Sequence, residues 1–133
     1  MAAAPSYLAT RRTSGVAVTV ADPNTDGTSG TRATVFTGAA TGSLVESVQI
    51  KSIVASGTTV VADIVRLWFY DGANTWLIKE ISVPAGGGNI GTSNQEFDGV
   101  IALNLPLASG QTLQASSILS TNGYHVTATG GDY

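Results

Sequence analysis

One histidine, nine carboxylates and a cluster of aromatic side chains are what this chain offers for chemistry. His125 lies in "YHVTAT" (124–129), on the face opposite Tyr124, Val126 and Ala128. Lacking a nucleophile or acid partner at a recognisable spacing, it reads as a solvated or interfacial imidazole rather than a general base. Serines are plentiful, but none stands in a G-x-S-x-G elbow ahead of a helix. Glu96 and Asp98, at i and i+2, share one strand face; a solvated face explains them more simply than a glycosidase acid pair. "DPNTDG" (22–27) resembles the start of a calcium loop, with Asp22, Asn24 and Asp26 at alternate positions and Gly27 to turn the chain. Its twelfth position falls on Ala33, where a bidentate glutamate should close the cage, and no helix flanks it. Asp, Pro, Asn and Gly are also simply what turns are made of. The "GGG" of 86–88 lacks the Lys-Ser/Thr and the helix of a phosphate loop. No metal and no cofactor is expected, nor an enzyme.

The stretch "RLWFYDGANTW" (66–76) holds Trp68, Phe69, Tyr70 and Trp76, four of the nine aromatics in the chain. Successive strand side chains point to opposite faces. Val61, Val65, Leu67 and Phe69 therefore share an apolar face suited to a core. Ile64, Arg66, Trp68 and Tyr70 share an amphipathic one. Tyr, Trp and Arg are the types enriched where proteins meet. Three readings stand open: both faces buried between sheets and loops, a contact face for another chain, or a sugar-stacking platform. The second strand, "TWLIKEISV", keeps neither phase throughout, since Trp76 and Ile78 agree with each other while Leu77, Ile81 and Val83 take the opposite one. A β-bulge near Lys79 reconciles them. Asp71–Gly72 is good hairpin-turn chemistry.

These residues need a scaffold, and the 133-residue length supplies one core without staples. Charged residues make up 11% of the chain, against roughly 25% in an ordinary soluble domain. So little charge suits a chain that works packed against others. The net charge of −3, with basic residues spread singly apart from Arg11–Arg12, lacks the basic stripe of a nucleic-acid binder. Cysteine is absent, so no disulfide or thiol chemistry exists. No apolar run approaches the roughly 18 residues of a membrane helix. "MAAAPSYLATRRTSG" has its arginines after the apolar part, the reverse of a signal peptide, and reads as mature chain.

Helical periodicity is missing, and strand–turn–strand recurs. Strands are expected over 16–20, 32–38, 44–55, 59–70, 75–83, 96–105, 112–119 and 124–129. In the third, Leu44, Val48 and Ile50 oppose Ser47, Gln49 and Lys51. Eight short strands cut by Gly- and Asp-rich turns predict an all-β fold, a β-sandwich of jelly-roll type. Residues 15–133 form its single domain, 1–14 an extended N-terminal arm, and 85–94 a flexible loop.

"V-R-L-W-F-Y-D-G" through "W-L-I-K-E-I-x-V-P-A", then "LPLASGQTLQASS" (105–117) and the ending "GYHVTATGGDY" (123–133), resemble in their order small virion proteins of tailed bacteriophages. The resemblance spans residues 44–133. It implies a non-enzymatic virion structural protein, a capsid decoration (cement) protein on the outer surface of the particle, seated on the major capsid protein or other virion subunits as a homotrimer. The alternatives are a head–tail or tail component, or a carbohydrate- or receptor-binding sandwich. Neither nucleic acid nor membrane is an expected partner. A tethered arm adds affinity through high effective concentration, so Arg11 and Arg12 are expected against an acidic shell. Arg66, Trp68, Tyr70, Trp76, Asp132 and Tyr133 complete the expected protein interface.

Overall fold

Val alternating with Thr, Ser or Ala gives each segment one apolar edge-on stripe, and eight such stripes close on one another. The computed structural model describes residues 8–54, 59–86 and 98–133. Its strands are β1 (Thr10–Val18), β2 (Ala33–Thr37), β3 (Ser43–Ser52), β4 (Asp63–Tyr70), β5 (Thr75–Val83), β6 (Asp98–Leu107), β7 (Thr112–Ser117) and β8 (Tyr124–Asp132). Two antiparallel four-stranded sheets result, in the orders β1-β8-β3-β6 and β2-β7-β4-β5.

The pairings β1/β8, β2/β7, β3/β6 and β4/β5 are those of one long antiparallel hairpin folded at residues 71–74. Rolling that hairpin adds the ladders β3/β8 and β4/β7. This is the jelly-roll connection, and the all-β sandwich expected from the strand spacing is what forms. Inner faces contribute Val45, Val48, Ile50, Val126 and Ala128 from one sheet and Phe36, Val65, Leu67, Leu113 and Ala115 from the other, all buried. β1 and β2 approach each other along one side; β5 and β6 are the edge strands of the opposite side, neither paired to a further strand among the described residues.

The N-terminal arm and the phase of β3 differ from expectation, each for a physical reason. The arm expected over 1–14 is strand from Thr10 onward, because β8 runs on to Asp132 and offers its whole edge, Thr10 pairing with Asp132. Residues 1–7 lie outside the described residues, as does most of the 85–94 loop. In β3 the ladders to β6 and β8 both shift between Val45 and Ser47. Against β8, Glu46 is the extra residue; against β6, Leu103 and Asn104 oppose Glu46 alone, and Asn104 takes a positive φ of 50°. The shift moves Val45 rather than Leu44 into the core beside Val48 and Ile50. In β5 the register shifts between the partners of Leu67 and Trp68, Lys79 and Leu77, so Ile78 is the extra residue and the bulge falls where the phase conflict required it.

Candidate functional site

β4 is an inner strand, flanked by β7 and β5, so its two faces meet different surroundings. Val65 and Leu67 point between the sheets and are fully buried, with Phe69 packed at the core margin. The other face, with Arg66 and Trp68, points outward, yet both are buried, at 5% and 0% exposure. What covers them is the segment between β1 and β2. It is tacked to β7 through the Asp22 N–H to the Ser117 carbonyl, 2.7 Å, and crosses to the β5 start, where Gly27 lies against Thr75.

That segment holds its shape through a cascade of side-chain-to-backbone turns. Asp22 accepts from the Asn24 N–H, Asn24 from those of Asp26 and Gly27, and Asp26 from that of Thr28. The Thr28 hydroxyl and N–H hold the Asp26 carboxyl below the usual carboxylate value. These oxygens are spent on the loop's own N–H groups rather than gathered round a common centre. Gly30 is required here: it has a positive φ of 102°, and a Cβ would run into the Asp22 carboxylate.

Arg32 lies over the Trp68 ring, 5.2 Å from its centroid, and donates to the carbonyls of Ser29 and Gly27 at 2.8 and 3.2 Å. Trp68 Nε1 donates to Ser116 Oγ at 2.8 Å. Trp68 is thus the centre of a second, smaller layer outside the main core. Within this layer several buried atoms have no partner among the described residues: Asp22 Oδ2, Arg32 Nε, Arg66 Nε and Nη1, Thr112 Oγ1 and Gln114 Oε1. A buried polar atom left unpaired costs about 1–3 kcal/mol, so their concentration in one layer is unusual for a stable fold.

Of the expected interface residues, Arg66 and Trp68 are corrected: their own chain covers them, and neither offers surface to a partner. Tyr70 is half-buried, its hydroxyl donating to the Gly72 carbonyl at 2.9 Å. Trp76 is 54% exposed, with Nε1 on Asp71 Oδ2 at 2.9 Å. Asp71 also caps the turn, accepting from the N–H groups of Ala73 and Asn74. The Asn74 N–H, then Trp76, hold its carboxyl below the usual value.

At the same end of the sandwich, Arg12 and Asp132 meet each other. Arg12 Nε contacts both Asp132 oxygens at 3.0 Å. Its guanidinium stacks 3.8 Å from the Phe36 centroid and donates to the Thr37 carbonyl. Ser43 Oγ donates to Asp132 Oδ1 at 2.6 Å. The Ser43 bond and the Arg12 charge lower the Asp132 carboxyl. Arg11 pairs with Glu46 at 2.9 Å. Both arginines thus pair with carboxylates of their own chain, Arg11 remaining largely exposed. Tyr133 is 40% exposed, its N–H on the Gly42 carbonyl.

Asp63, the one carboxylate of β4, organises the other end. Its Oδ1 accepts from the N–H groups of Ile64 and Leu119, and its Oδ2 from the buried Tyr124 hydroxyl at 2.8 Å. Asn122 Nδ2 donates to that same hydroxyl and to the Val61 carbonyl. Burial, then the Asp63 charge and hydrogen bond, push the Tyr124 phenol up, although Asn122 opposes the shift. Sequence reasoning passed over this network; the signal was a lone Asp inside "VVADIVRLW". His125 is exposed on the outer face, opposite Ala17 and Lys51. Glu96 lies outside the described residues, and Asp98 accepts from Gln49. Among the described residues no group of three His, Cys, Asp or Glu could hold a metal.

Among the described residues, large apolar side chains stand exposed on β5 and β6, Trp76 at 54%, Ile78 at 37% and Val100 at 70%, as do Val20, Ile53, Leu119 and Tyr133 elsewhere. Behind them, Ile81, Ile101, Leu103 and Leu105 are only partly buried against the core. No family model, curated protein or solved structure matches the chain.

Proposed function

We propose that this protein is a non-enzymatic virion structural subunit, a capsid decoration protein that seats on the major capsid protein of a tailed bacteriophage and stabilises the shell. The observation that carries this reading is the uncovered apolar side of the sandwich. Trp76, Ile78 and Val100 stand exposed along the β5 and β6 edges of a chain with 11% charged residues. Burying apolar surface is worth about 25 cal/mol per Å², so covering these side chains with another polypeptide is favourable. The resemblance in the order of the strand and turn motifs over 44–133 supports this class of partner. The jelly roll itself serves shells and lectins alike, so it supports the architecture rather than the role.

The interface is the β5/β6 side, with Trp76 as its aromatic anchor and Tyr70 and Tyr133 as candidates beside the turn end. A homotrimer is the expected form on the particle. The test is co-sedimentation of the purified chain with particles stripped of it, read against a Trp76→Ser/Val100→Ser variant. Saturable binding, lost in the variant, supports the reading. Equal pelleting of both forms, or none of either, overturns it.

One observation favours a second reading. The Trp76 ring is exposed while its Nε1 is fixed on Asp71, and a ring held in that way can stack on a sugar face. Glycan-array binding by the isolated chain, abolished by Trp76→Ser, would transfer the role to receptor recognition.

A further inference from the structure

We propose that the layer beneath residues 21–32 is a binding site for a small inorganic oxyanion of the phosphate and sulfate class, with Arg66 as its anchor and Arg32 as the second cation. Arg66 is 5% exposed, and its Nε and Nη1 have no hydrogen-bond partner. Among the described residues the ion pairs within 4.0 Å are Arg11–Glu46, Arg12–Asp132 and Arg32–Asp22, so Arg66 has no counter-ion at that range. Its cross-strand neighbour on the same face is Glu80, whose side chain is exposed instead.

Arg32 adds a second guanidinium with a buried, unpartnered Nε. The carboxylate of the layer is Asp22, 3.7 Å from Arg32 Nη1. Two cations against one anion leave a positive charge in a place shielded from water, and a buried charge needs a partner. Guanidinium groups match oxyanions in geometry as well as charge. Ser116 lies opposite Arg66, and Gln114, whose Oε1 has no hydrogen-bond partner, is two residues along the same outer phase of β7, opposite Trp68. A hydroxyl can turn its proton toward an anion oxygen, and an amide can present its NH₂. Burial of Arg66 restricts the occupant to a small ion. The site is independent of what the β5/β6 side binds.

The test is thermal unfolding of the full chain in sodium phosphate and sodium sulfate, with sodium chloride and sodium acetate at matched ionic strength, alongside calorimetric titration with phosphate. Expected is a saturable rise in Tm of about 5 °C at ten times Kd, with one ion bound per chain. Arg66→Met is expected to abolish the rise and Arg32→Met to weaken binding about tenfold or more. Glu80→Gln, which alters the exposed neighbour, should leave it intact. Should Arg66→Met fail to fold, Arg66→Lys keeps the charge, loses the planar fork and should still weaken binding about tenfold. A rise reproduced by chloride, a response greater for acetate than for phosphate, unchanged binding in Arg66→Lys, or no response up to about 0.1 M salt, where the Debye length is about 10 Å, overturns the proposal.

Discussion

Trp68 and Trp76 lie eight residues apart on one hairpin and have opposite fates. Trp68 is fully buried with its indole N–H on Ser116, so Trp68→Ala should cost about 3–5 kcal/mol, read by urea unfolding. Trp68→Phe keeps most of the volume but strands the Ser116 hydroxyl, and about 1–3 kcal/mol is expected from that alone. A variant of either kind that unfolds at the wild-type midpoint would show that the 21–32 segment does not seal this layer. Asp132 responds to acid at the hairpin-turn end of the sandwich. Its folded pKa lies below the ordinary 3.8 because Ser43 and then Arg12 favour the carboxylate. Its contribution is therefore complete above that ordinary value and is lost as pH falls through the lower, folded one. Asp132→Asn is expected to lower stability at about pH 7 and to flatten its fall between about pH 4 and pH 2, measured by unfolding across that range.

Elements show how close packing and local irregularity are used. At the end of β8, Gly130 and Gly131 lie where β1 and β3 come nearest. A Cβ on Gly130 would overlap the Leu44 carbonyl oxygen, and one on Gly131 the Thr10 carbonyl oxygen. Gly130→Ala thus has no backbone room, and a fall in Tm of about 10 °C or failure to fold is expected. The bulge at Ile78 breaks the regular ladder of a free edge, which is how natural sheets discourage edge-to-edge pairing. Deleting Ile78 would bring Leu77 and Lys79 into continuous register opposite Trp68 and Leu67. The shortened strand should still fold but self-associate faster than wild type, read by light scattering over time. Faster association of the wild type would count against a protective role for the bulge.

At the scale of the whole molecule, the rolled hairpin closes one side through β1 and β2 and places β5 and β6 as the edge strands of the other. That asymmetry gives the protein a side to present. Trp76→Ser combined with Val100→Ser removes exposed apolar surface without touching the core. Its stability should stay within about 0.5 kcal/mol of wild type per site, while association with particles, and any self-association, falls. A variant that loses stability instead would place these side chains in the fold rather than at its boundary.

Eight strands, their turns and the sandwich were legible from alternation and Gly-Asp punctuation, because the period of two is local. The bulge in β5 was legible too, since Trp76 and Ile81 cannot share a phase without it. Glu46 left no such sign: Leu44 and Val45 are both apolar, and only the ladders to β6 and β8 decide which one turns inward. Nor did "DIVRLWFY" disclose which cover its outer face would receive. Amphipathicity states that a face is half-polar; whether water, a partner or the chain's own 21–32 segment lies over it depends on contacts some forty residues apart. The sequence by itself determined that this chain builds strands with apolar stripes. Only the tertiary structure decided that Arg66 and Trp68 are inside, that Arg12 answers Asp132, and that Trp76 faces out, since burial is settled by where distant segments come to rest.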